Sequence, residues 1–208
     1  MSDPFHVVIM TTPATGTPHL AELVASNPDL AVSVCMSPDA ETAEDAKNAW
    51  RNCDRNIRGW WREFGAGVAA DQVLFLEYDV RVTVDLTKAI RRMPAGFGMS
   101  GAAVKGQAMH GHAWPLFAEA VRLPREVRAL ACGIAPLAVV LVSRSALDAL
   151  ADERWDAAFA EDVFCELRMP TLVRASGFRI MEQALPNVLC GRFSGSMEQP
   201  GIYHAIKP

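Results

Sequence analysis

The order of apolar segments predicts an α/β fold with a mostly parallel central sheet and helices on both faces. Three observations carry this. Strand-like and helix-like stretches alternate from Phe5 to Met93, a further buried strand follows at Pro136–Val142 (PLAVVLV), and half of the 208 residues are hydrophobic. A mean hydropathy of +0.11 over this length suits one sizeable core, so residues 1–208 are expected to form a single domain.

Phe5–Thr12 (FHVVIMTT) is a β-branched run stopped by Pro13 and the punctuation TTPATGTP, which predicts a first strand and its loop. His19–Ser26 has helical spacing, and Leu30–Met36 predicts a second strand closed by Ser37-Pro38. A long helix is expected over Ala43–Phe64, because Trp50, Ile57, Trp61 and Phe64 recur at helical offsets and Gly65 and Gly67 supply a stop. Asp71–Val80 predicts the third strand, and Asp85 caps a helix over Leu86–Met93 that ends at Pro94. Six glycines break every pattern between residues 94 and 135, which reads as a functional loop region. After the strand at Pro136–Val142, Ser143 is the expected N-cap of a helix through Leu150. Glu161–Met169 predicts a helix stopped at Pro170, Phe178–Glu182 a last strand, and the tail from Pro186 is irregular.

Composition excludes several classes. The net charge of -4, without a Lys/Arg-dense stripe, argues against a nucleic-acid binder. The cysteines at 35, 53, 132, 165 and 190 stand singly, without zinc-ligand spacing, and read as reduced thiols of a cytoplasmic protein. No apolar run approaches the roughly 20 residues of a membrane helix, and no leader-like segment opens the sequence. The first strand is followed by neither G-x-G-x-x-G nor G-x-x-x-x-G-K-[ST], which disfavours dinucleotide oxidoreductases and P-loop enzymes.

The most informative stretch is Val73-Leu74-Phe75-Leu76-Glu77-Tyr78-Asp79, an apolar strand ending in two carboxylates. On a strand, Glu77 and Asp79 share one face about 7 Å apart, and Tyr78 points to the other. Acids are common where a strand meets water, yet a divalent cation would relieve their repulsion. Open α/β sheets bind ligands beyond the carboxyl ends of their strands, and Thr11-Thr12 fall at another such end.

VLFLEYDV resembles the strand that ends in an Asp-x-Asp-like motif in glycosyltransferases of the GT-A fold, the nucleotide-diphospho-sugar transferase sandwich. The sequence departs from that motif in having Glu77 first. The resemblance implies a divalent cation, manganese or magnesium, that binds the diphosphate of a nucleoside-diphosphate sugar, with Asp79 as its direct ligand and Glu77 holding the ribose or a metal-bound water or ligating directly as well. It also implies Glu77 and Tyr78 beside the donor. Tyr203-His204-Ala205-Ile206-Lys207 is similar to the His-containing tail that closes the metal site in many such enzymes. Imidazole suits manganese better than magnesium, so His204 tilts the choice toward manganese. The resemblance further makes Glu161 and Asp162 candidates for acceptor binding or catalytic base, with Glu166 one turn on as a third. Helix starts also attract acids for electrostatic reasons alone.

In the long helix, Asp54, Arg55 and Arg58 fall in a region that borders the nucleotide in GT-A folds. Arg55 and Arg58 share a helical side that could offer forked donors to phosphate, although polar helix faces are commonly just solvated. His110-Gly111-His112 could ligate a metal but lacks a third ligand in view, and Gly133–Pro136 would allow a ligand close to the backbone. The reading is a metal-dependent glycosyltransferase transferring a sugar to an unidentified hydroxyl acceptor, with oligomeric state open. Its alternatives are an inactive nucleotide-sugar or partner-binding module, a nucleotidyltransferase, or a metal-dependent phosphohydrolase.

Overall fold

Val7, Val8, Val73, Leu74, Phe75 and Val139–Val142 expose none of their surface, as β-branched and large apolar residues do when a strand is covered on both faces. They form the middle of a six-stranded sheet. The structure is a computed structural model that describes residues 5–37, 40, 42–101, 104–105, 108–109, 112–134, 137–182, 188–190 and 201–204.

The strands are β1 His6–Thr11, β2 Val32–Met36, β3 Gln72–Glu77, β4 Arg81–Val82, β5 Phe97–Gly101, β6 Val104–Lys105, β7 Ala108–Met109, β8 His112–Ala113, β9 Gly133–Ile134, β10 Val139–Ser143, β11 Arg179–Glu182, β12 Val188–Cys190 and β13 Ile202–His204. The helices are α1 Leu20–Ser26, α2 Ala43–Arg51, α3 Cys53–Phe64, α4 Leu86–Ala89, α5 Arg125–Arg128, α6 Arg144–Ala151, α7 Asp156–Ala160 and α8 Cys165–Ala175, with a 3-10 helix over Pro115–Arg122. The central sheet has the order β11-β5-β10-β3-β1-β2. β1 runs parallel to β2 and β3, β11 runs parallel to β5, and β10 opposes both its neighbours. A second sheet, β12-β13-β4, lies beside the tip of β3.

Alternate side chains of one strand feed two cores. Val8, Val73, Phe75, Val140 and Val142 pack with Ile57, Trp60 and Trp61 of α3 and with α6 and α8. Val7, Ile9, Leu74, Leu76 and Leu141 pack with Leu23 of α1, Leu86 of α4 and Ile202 of β13. Helices therefore cover both faces, as the alternation of segments predicts. Among the described residues no helix is long and apolar enough to cross a membrane.

The structure corrects several boundaries. The long helix is two, α2 and α3, separated at Asn52, whose ψ of 22° departs from the helical value. Hydrogen bonds begin α2, where Thr42 and Asp45 form a reciprocal capping box, whereas α3 begins with Cys53 and Asp54 buried. The helix after Asp85 is a single turn, although Asp85 does cap it by accepting from the Thr87 N–H. Ser143 caps α6 as expected. Residues 94–135 contain a central strand, β5, together with short ladders and helices, and the tail contributes β12 and β13. Pro170 lies inside α8, not after it.

Candidate functional site

β3 ends at Glu77, and the Val80 N–H donates to the Glu77 carbonyl at 3.0 Å, so Tyr78 and Asp79 occupy a turn. The two acids therefore do not share a strand face. They converge because the turn carries the chain into β4, which pairs antiparallel with β13 in the register Arg81↔Tyr203. That pairing sets His204 beside them. Its Nε2 lies 3.3 Å from Glu77 Oε2 and 3.6 Å from Asp79 Oδ1, and one ligand atom from each residue falls within 4.8 Å of the others.

Glu77 and Asp79 are 8% and 3% exposed, and Asp79 Oδ1 is buried without a hydrogen bond among the described residues. A buried carboxylate oxygen in that condition is costly, and two carboxylates with an imidazole form a donor set that fits a divalent cation. Burial, followed by the charges of Asp79 and Glu77, raises the Tyr78 phenol above its ordinary range.

Thr11 and Thr12 lie at the adjacent strand tip, one and two residues past Met10, the register partner of Glu77. Their hydroxyls are shared with the loop that follows: Thr11 Oγ1 donates to the Gly16 carbonyl, and Thr12 Oγ1 lies 3.0 Å from Thr15 Oγ1. Below this corner Arg81 holds Glu22 of α1 through two bonds of 2.6 and 2.7 Å, and the guanidinium lowers the Glu22 pKa.

The other predicted residues separate into two groups. Glu166 stands in the first turn of α8, 7% exposed, and its Oε1 accepts from the Leu137 N–H at 3.1 Å. The next carbonyl, that of Ala138, accepts from the Glu77 N–H at 2.8 Å, so Glu166 and Glu77 bracket one short piece of chain. Glu161 and Asp162 precede α8 in a loop and do not lie on a helix, contrary to the sequence reading. Asp162 pairs with Arg51 at 2.9 Å and Arg122 at 3.3 Å, and these guanidiniums, Arg51 foremost, lower its pKa.

Asp54, Arg55 and Arg58 make internal contacts. Asp54 accepts two bonds, of 2.8 and 2.5 Å, from Arg168, and neither side chain has any exposed surface. Arg58 donates to the carbonyls of Leu150 and Asp152 and to Asp156, tying α3 to the end of α6 and to α7. Arg55 donates to the carbonyls of Ala160 and Glu161. Asp54 and Arg58 thus act as structural ties between α3 and the elements packed on it.

Sequence reasoning missed Arg168, which also grips the Glu161 carbonyl at 2.7 Å, and Glu119, which accepts from Arg51 and from the Phe164 N–H. The signal for Arg168 was a cation, two residues after Glu166, inside the otherwise mostly apolar stretch from Val163 to Val173. Gly133 is covered by protein: a Cβ there would lie 2.2 Å from the Trp114 ring. The His110-Gly111-His112 reading lies outside the described residues, since 110 and 111 and the side chain of 112 are not among them.

No protein-family profile and no curated protein sequence matches the chain. Among solved structures it is similar to a glycosyltransferase involved in glycosylation of the major capsid of PBCV-1, at 14% identity and a TM-score of 0.47, covering 86% of this chain and 82% of that one. It is also similar to galactosyltransferase LgtC in complex with donor and acceptor sugar analogs, at 11% identity and a TM-score of 0.46, covering 97% and 87%. A third is a Drosophila β1,4-galactosyltransferase 7 mutant in complex with manganese, UDP-Gal and xylobiose, at 12% identity and a TM-score of 0.39, covering 85% and 64%. These likenesses concern the path of the chain and not its chemistry.

Proposed function

We propose that this protein is a divalent-cation-dependent glycosyltransferase that takes a sugar from a nucleoside-diphosphate sugar and passes it to a hydroxyl acceptor. The convergence of Glu77, Asp79 and His204 from positions 127 residues apart carries the reading. Asp79, Glu77 and His204 would hold the cation, and the imidazole favours manganese over magnesium. Such a cation neutralises the negative charge that develops on a leaving diphosphate.

The chain's own groups divide the remaining work. Thr11, Thr12 and Tyr78 frame the crevice at the tips of β1 and β3, where the donor would lie. Arg55, whose Nε is buried without a hydrogen bond among the described residues, is the candidate phosphate donor. For the base that takes the acceptor proton, Glu166 is better suited than Asp162: it is buried near Glu77, whereas two guanidiniums weaken the proton affinity of Asp162. Asp162 and the exposed Glu161 would then contact the acceptor.

A thermal-shift screen of sugar nucleotides with and without Mn2+ tests the reading. One nucleotide sugar should raise the melting temperature only with metal, and Asp79→Asn should abolish the rise while remaining folded. Binding without turnover would leave an inactive sugar-nucleotide module. Release of phosphate or pyrophosphate without an acceptor would point to a phosphohydrolase or nucleotidyltransferase. No metal-dependent binding at all would sink the proposal.

A further inference from the structure

Trp60, Trp61, Trp114 and Trp155 are each at most 8% exposed, yet the fifth tryptophan, Trp50, is 50% exposed. Leaving an indole face in water forfeits burial worth a few kcal/mol, so its surroundings carry information. The ring is fixed, standing edge-on to Phe164 at 4.7 Å, and the Arg51 guanidinium lies 5.7 Å from the same Phe164 ring. Arg51 bonds Glu119 and Asp162, and Arg122 bonds Asp162. Two guanidiniums thus face two carboxylates, a rim with no net charge that keeps hydrogen-bonding capacity in reserve, Asp162 being 69% exposed and Arg122 49%. The patch also borders the candidate site. The Cys165 thiol donates to the Trp50 carbonyl at 3.4 Å, and Glu166 is the next residue.

We propose that Trp50 is the floor of an acceptor subsite for a neutral carbohydrate. Its indole takes the apolar C–H face of a sugar ring, and Asp162, Arg51 and Arg122 bond that ring's hydroxyls. The word acceptor rests on the glycosyltransferase reading; the sugar site itself rests on the patch. A charged ligand gains nothing from a neutral rim. One indole with four charged side chains in three ion pairs also falls far short of the roughly 800 Å² per partner of a stable protein interface.

The test is iodide quenching of tryptophan fluorescence, which reports on Trp50 because the other four indoles are buried, during titration with methyl glycosides, lactose, maltose and cellobiose. At least one sugar should protect the fluorescence saturably, Trp50→Ala should weaken that sugar's binding more than tenfold by calorimetry, and Trp50→Phe should stay within a few-fold. The Mn2+-dependent shift with sugar nucleotide should be unchanged in both variants. If no sugar protects Trp50, or Trp50→Ala binds the sugar as wild type does, the subsite is wrong even where the metal-dependent shift persists. Protection by a sugar without any nucleotide-sugar binding would support the subsite and overturn the enzyme reading instead.

Discussion

At the scale of single residues, the chemistry turns on how each carboxylate is surrounded. Asp162 and Glu166 are four residues apart, yet one is exposed between two guanidiniums and the other is buried against the Leu137 amide. Replacing Glu166 by Gln keeps the size and an acceptor oxygen for that amide but removes the base. The expected outcome is a fall in turnover of about 10²–10⁴ with the metal-dependent sugar-nucleotide shift intact. Asp162→Asn should instead raise the acceptor KM with a smaller effect on turnover, because its carboxylate is assigned to acceptor contact. Steady-state kinetics on both variants decide between them, and equal loss of turnover in both would undo the assignment.

At the scale of elements, the connection into α8 is held from below. Arg168 reaches out of α8, and Arg55 out of α3, to the same Glu161 carbonyl, and Asp54 neutralises Arg168 in full burial. Asp54→Asn would leave a buried guanidinium without its counter-charge. It should cost about 3–5 kcal/mol in urea unfolding, and the double change Asp54→Leu with Arg168→Met should cost less than either single change. A second tie is partly exposed: Glu22 of α1 meets Arg81 of β4. Its folded pKa is depressed, first by the Arg81 hydrogen bond, so the stability it adds is present above the unfolded value of about 4.3 and disappears as pH falls through the lower folded value. Wild type should therefore exceed Glu22→Gln by roughly 0.5–1 kcal/mol at neutral pH, with the two unfolding curves converging in acid. What was legible at this scale follows from the same physics. β1, β3 and β10 could be read because strands buried on both faces are continuous apolar runs. β5 could not, since its Phe-Gly-Met-Ser-Gly sequence has little strand propensity; Gly98 is there because a Cβ would lie 2.6 Å from Phe178. Pro170 looked like a stop, but the whole stretch Cys165–Val173 is buried, and that packing outweighs the roughly 3 kcal/mol proline costs inside a helix. Glu77 and Asp79 were legible as a pair from local sequence. Their partnership with His204 was expected only through the resemblance of the tail, because it depends on β13 returning to β4, a long-range pairing that a three-residue strand does not announce.

At the scale of the molecule, the candidate metal corner adds a polar link between two sheets that already share an apolar core through Val82 and Ile202. Glu77 ends a strand of the central sheet, and His204 ends a strand of the small one, with β4 between them. A cation bound by all three residues must therefore oppose any opening that withdraws β13 from β4. At 100 times its Kd it stabilises the closed form by about 2.7 kcal/mol, a factor of roughly 100 in the opening equilibrium. Hydrogen exchange reads this at the Thr83 amide, which donates to the Gly201 carbonyl across that junction at 3.0 Å. Saturating Mn2+ should slow exchange at Thr83 and through β13 by about that factor, while amides between β11 and β5, at the far edge of the central sheet, change little if they exchange by local opening. In His204→Ala the metal should no longer slow exchange at Thr83. If that variant keeps the full effect, the cation is held by Glu77 and Asp79 alone, and the small sheet has no part in holding it.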